Sequence, residues 1–223
     1  MSARSEAATW ADTVRELAGK RGARYEPIGG LNPRDAPPAL CPGGRNRVTG
    51  ELADGYWGAF CDANEERTGG LFSKAILPHA VIAKSYMPDL TSVVPRFDVE
   101  SLEARPDEHL KRFSGKRVEF ESLEFNRRFL ARVPANHDPV RVRELFSPAF
   151  IDWVTTIDRE VDFGAGDNQL WFLWRLRERS ADELRLAVHN AGEMYRHVRR
   201  ELAEAGAGPY EPGPGHAGLA PFP

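Results

Sequence analysis

The sequence predicts an α+β domain: an antiparallel sheet of about seven to eight strands flanked by an N-terminal helix, two short helices and a long C-terminal helix. Three observations predict it. Residues 117–134 hold two period-two runs around a short polar turn, Asp138-Pro139 and Ser147-Pro148 repeat one helix-start design, and Ser180-Ala181-Asp182-Glu183 opens a long amphipathic stretch.

In chain order, Ala7, Trp10, Ala11, Val14, Leu17 and Ala18 recur at helical spacing, predicting a helix over about 6–19 that stops at Gly19 and Gly22 and packs through Trp10 and Leu17. A short strand is expected over 24–28. The Gly- and Pro-rich stretch of about 29–46 then reads as a flexible surface loop. Strands are expected over 46–52, 56–61 and 73–87, the first two joined at Ala53-Asp54-Gly55. Residues 91–99 add another extended run, and Pro95 assigns it to a sheet edge because proline has no N–H to donate.

Within 117–134, Val118 and Phe120 alternate with Arg117, Glu119 and Glu121, and Phe129, Ala131 and Val133 alternate with Arg128, Leu130 and Arg132, as in half-buried strands. Ser122 and Asn126 have short polar side chains that hydrogen-bond nearby backbone, so a turn or a single helical turn is expected between the runs. Phe125 is its apolar plug. After the two proline-opened helices, of which the second has Phe150, Ile151, Val154 and Ile157 as its buried stripe, residues 159–163 and 169–176 read as a hairpin around Gly164-Ala165-Gly166-Asp167. The second of these strands is nearly all apolar, which predicts cover on both faces. The last helix, 181–204, carries Leu184, Val188, Ala191, Tyr195, Val198 and Leu202 on one side. A single domain over 1–205 is expected, with 206–223 a disordered Gly/Pro-rich tail.

Composition narrows the class of function. The 223 residues are 41% hydrophobic and 28% charged with a formal charge of −3, which is globular and offers no general attraction to nucleic acid or anionic lipid. Cys41 and Cys61 are too few for a zinc site or a disulfide framework, and reduced thiols are expected. The N-terminal run is amphipathic and no window reaches the roughly 18 apolar residues of a membrane span. A cytoplasmic location without membrane insertion is the expectation.

Glu121, Ser122, Phe125, Asn126, Arg127 and Phe129, with Ser147-Pro148 downstream, carry one resemblance. On these residues the chain resembles a family of uncharacterised, mostly actinobacterial proteins that follow a strand with Glu-Ser-x-x-Phe-Asn-Arg-x-Phe, a second strand and a helix opening with Pro. It covers roughly residues 46–175. The resemblance implies a fold and supplies no activity, cofactor or catalytic residue. Many members of the wider family look membrane-anchored through N-terminal apolar segments, a feature this sequence does not show.

Each chemical signal has an ordinary reading beside it. His189, Glu193 and His197 repeat every four residues and would suit a transition metal, yet Arg196, Arg199 and Arg200 surround them, so a solvated helix face is the expectation. Residues 62–66 approach a calcium loop but have Arg67 and Ser73 where Gly and Glu are required. Residues 68–74 lack phosphate-loop spacing. Ser122 could be a nucleophile with His79, His109 or His137 as base and Asp138 or Glu121 as orienter, but no glycine elbow accompanies it, so it reads as a turn cap with Glu121 paired to Arg127 or Arg128. Cys41 has no neighbouring His or Lys to activate it. Arg112, Lys116, Arg117, Arg127, Arg128 and Arg132 could gather as a basic patch, though Glu119, Glu121 and Glu124 interleave to pair with them.

No cofactor and no nucleic-acid partner are expected. The chain reads as a non-catalytic protein-interaction module whose partner is another protein, a homo-oligomer being left open, with Ser122, Glu124, Asn126, Arg127 and Arg128 as candidate surface. The alternative is a small-ligand binder or enzyme, its pocket between the sheet and helix 181–204 and lined by Trp171, Trp174, His189 and Tyr195.

Overall fold

The computed structural model describes residues 3–28, 45–53, 56–62, 80–86, 96–102, 115–166 and 169–204. It is α+β with antiparallel strands, as the periodicities predict. The elements are α1 (Ala3–Lys20), β1 (Arg24–Ile28), β2 (Arg45–Ala53), β3 (Tyr56–Asp62), β4 (Ala80–Tyr86), β5 (Phe97–Ser101), β6 (Gly115–Val118), α2 (Leu123–Arg128), β7 (Phe129–Pro134), α3 (Pro139–Leu145), α4 (Pro148–Thr156), β8 (Val161–Gly166), β9 (Gln169–Arg175) and α5 (Ala181–Glu204). Nine strands are described where seven to eight were expected, the short β1 pairing with β2 and the short β6 with β7. Among the described residues no helix is long and apolar enough to cross a membrane.

Over the described residues the chain divides into two compact units, cut at Ser85/Tyr86, Trp174/Arg175 and Glu193/Met194. In the first, β1, β2, β3 and β4 form an antiparallel ladder in chain order, with Val48 opposite Phe60 and Phe60 opposite Ala83. Helix α1 buries Trp10, Val14 and Ala18, while Leu17, expected as an anchor, stays half-exposed. The helix runs one residue past Gly19. Its end is set by Gly22, whose φ of +63° lets Ala23 N–H reach back to the Ala18 carbonyl at 2.9 Å.

The second unit orders its strands β9-β8-β5-β7-β6. Here three expectations shift. Strand β5 was expected at an edge, but it pairs with β7 on one side and β8 on the other; the strand begins at Phe97, so every residue that must donate to the ladder has an N–H. Strand β7 was expected half-buried, yet Leu130 and Arg132 are buried along with Phe129, Ala131 and Val133. The glycines placed in the β8–β9 turn lie inside β8 instead, with Gly164 opposite Trp171 and Gly166 opposite Gln169. A Cβ on Gly164 would sit 2.5 Å from the Phe97 carbonyl oxygen and 2.7 Å from the Trp171 ring, so close packing and not turn geometry requires glycine.

The helix starts form as their sequences dictate. Asp138 accepts from Val140 N–H at 2.9 Å and Ser147 from Phe150 N–H at 3.3 Å, each followed by proline at the first helical position. At α5, Ser180 Oγ accepts from Glu183 N–H at 3.2 Å, while the Glu183 carboxylate turns to Arg177 N–H at 3.3 Å. The apolar stripes of α4 and α5 are buried throughout. Phe146 centres the aromatic core of the second unit, its ring centroid 4.9 Å from Phe120 and from Phe150 and 5.3 Å from Phe97.

Candidate interaction surface

The turn between β6 and β7 is built by its own side chains. Ser122 holds an extended backbone, with φ −75° and ψ 110°, and its Oγ accepts from Phe125 N–H at 3.2 Å, so α2 starts there. Asn126 then replaces the strand partner that Phe120 lacks beyond the end of β6: Oδ1 accepts from Phe120 N–H at 3.0 Å and Nδ2 donates to the Phe120 carbonyl at 2.6 Å. Phe125 is fully buried, 5.0 Å from Phe120 and 5.1 Å from Phe129 between ring centroids. Arg128 donates to the carbonyls of Thr155 and Ile157, the second at 2.9 Å, placing a cation at the carbonyl end of α4.

Of the five expected surface residues, therefore, Ser122 and Asn126 serve the turn itself, Arg128 ties it to the end of α4, and Glu124 and Arg127 face water. Those two pair with each other at 2.7 Å, because three residues apart on a helix they are neighbours; the expected pairing of Arg127 with Glu121 gives way to this one. Between them and the cap stands Leu123, 85% exposed and missed in the sequence. The available signal was its phase: two residues before the buried Phe125 on a six-residue helix, it must point outward.

The other candidates disperse. Trp171, Trp174 and Tyr195 are buried and His189 is exposed. Trp171 and Trp174, three apart on β9, lie on opposite faces of the strand. His197 stacks on Trp153 at 4.8 Å, and among the described residues no group of three or more His, Cys, Asp or Glu could hold a metal ion. Lys116 and Arg117 are exposed, Arg117 faces Glu119 at 3.4 Å, and Arg132 is buried, so no common basic patch forms among these described arginines and lysine. His137 is half-buried and Ser122 is occupied as a cap. Cys41, His79, His109, Arg112, the 63–66 and 68–74 segments and the 206–223 tail lie outside the described residues.

Two buried carboxylate settings were not legible as sites. In the first unit Asp62 accepts from Trp10 Nε1 at 2.8 Å and Asn46 Nδ2 at 2.9 Å, and Tyr25 donates to Asn46 at 2.8 Å. Burial raises the Asp62 carboxyl above its ordinary value, against the lowering effect of those two donors and of Arg179 and Arg45. In the second, Asp98, Glu100, Arg132 and Asp162 share the sheet face turned away from Phe97, Val99 and Phe163, Asp98 standing opposite Arg132 in the ladder. Asp162 also accepts from Ser101 N–H at 2.9 Å. Burial pushes Asp98 up to about 6, with Arg96 and Arg132 opposing and Asp162 adding to the rise.

No protein-family model matches the chain, and no curated protein matches it. Among solved structures it is similar to the crystal structure of the mycobacterial trehalose monomycolate transport factor A, TtfA, at 11% identity over 91% of this chain and 98% of that one, with a TM-score of 0.53. At that identity the likeness is one of fold.

Proposed function

We propose that the chain is a non-catalytic protein-interaction module and that the tip of α2 is its docking point, with Leu123 at the centre and Glu124 and Arg127 beside it. The exposure of Leu123 on an anchored helix carries this reading. A helix already fixed by its cap, by Asn126, by Phe125 and by Arg128 loses little conformational entropy when a partner covers it. An apolar side chain flanked by a charged pair supplies a dry centre with a polar rim. Of the signature residues from 121 to 129 that carry the family resemblance, Ser122, Phe125, Asn126 and Phe129 have structural work, which leaves the exposed Glu121 and Arg127 for recognition. The transport role named for the solved neighbour does not travel with the fold at 11% identity. A cytoplasmic location belongs to the same proposal, supported by the scarcity of cysteine.

A photo-crosslinking amino acid at position 123, introduced in the protein's own cells, tests the docking point. The expected result is one discrete adduct with another polypeptide that disappears on Arg127→Glu in the same chain. No adduct, or one indifferent to Arg127→Glu and equally strong from a probe at exposed Arg141, overturns the proposal. Fractionation of the same cells checks the location, and recovery with membranes or outside the cell would overturn that part.

A further inference from the structure

We draw no further inference here: the strongest candidate, the buried ionic cluster of Asp98, Glu100, Arg132 and Asp162 on the face of β5, β7 and β8 opposite the aromatic core, is joined by no second observation among the described residues that points to a ligand.

Discussion

The two faces of the β9-β8-β5-β7-β6 ladder differ in what they bury: Phe97, Phe129, Phe163 and Phe172 on one, and on the other Asp98, Glu100, Arg132 and Asp162 beside Leu130, Trp171 and Leu173. Removing aromatic surface from water is favourable in itself, at about 25 cal/mol per Å². Taking carboxylates out of water costs several kcal/mol each, which ion pairing offsets only in part. The aromatic face should therefore carry the stability of this unit, and the ionic face its dependence on pH.

The largest expected effect is at Phe146, which touches Phe97, Phe120, Phe125, Phe150 and Phe163. Phe146→Ala should lose about 3–5 kcal/mol in urea unfolding, with Phe146→Leu intermediate. A loss below about 1 kcal/mol would remove the aromatic face from its leading place.

Next comes Asp98. Its folded pKa of about 6 lies above the ordinary 3.8, so between those values the folded chain binds more protons than the unfolded one. Stability is fully present below the lower value and falls as pH rises through the upper, by roughly 3 kcal/mol in total. Asp62 is shifted in the same direction. Urea midpoints between pH 4 and pH 7 should slope less for Asp98→Asn than for the parent chain; parallel slopes would show that the ionic face does not set the pH response.

Two glycines sharpen the contrast between crowded and open positions. Gly164→Ala should cost about 1–3 kcal/mol, since the new methyl meets backbone and a ring. Gly19→Ala, in a helix with nothing within 4 Å of the new atom, should stabilise by about 0.5–1 kcal/mol. If thermal unfolding moved both the same way, the packing account of Gly164 would fail.

The smallest effects concern the tip of α2. Ser122→Ala should cost about 1 kcal/mol through the lost cap. Leu123→Ser should change stability by less than about 0.5 kcal/mol, because its side chain touches water. A large loss at Leu123 would make it part of the fold and withdraw it from the surface.

Much of the fold was readable because its signals are local. Asp138-Pro139, Ser147-Pro148 and Ser180 cap helices where their sequences place them, and the apolar stripe of 181–204 is buried throughout. The expected turn at Ser122 and Asn126 forms for the reason anticipated, short polar side chains bonding nearby backbone. Its outward residue, Leu123, is an apolar side chain that the turn leaves in water, where the sequence reading placed only polar and charged residues. The paired tryptophans of β9 looked like a pocket wall, but an odd spacing along a strand sends them to opposite faces.

By itself the sequence determined the α+β class, the helix boundaries set by caps and prolines, and the apolar–polar alternation of the runs within 117–134. Only the tertiary structure decided that β5 is interior, that Gly164 answers to Phe97 and Trp171, and that acidic residues at alternate strand positions are buried together. Capping and periodicity act across a few residues, whereas these outcomes depend on which strand lies alongside: Asp98 meets Arg132, and Ser101 meets Asp162, only once the ladder has brought distant segments together.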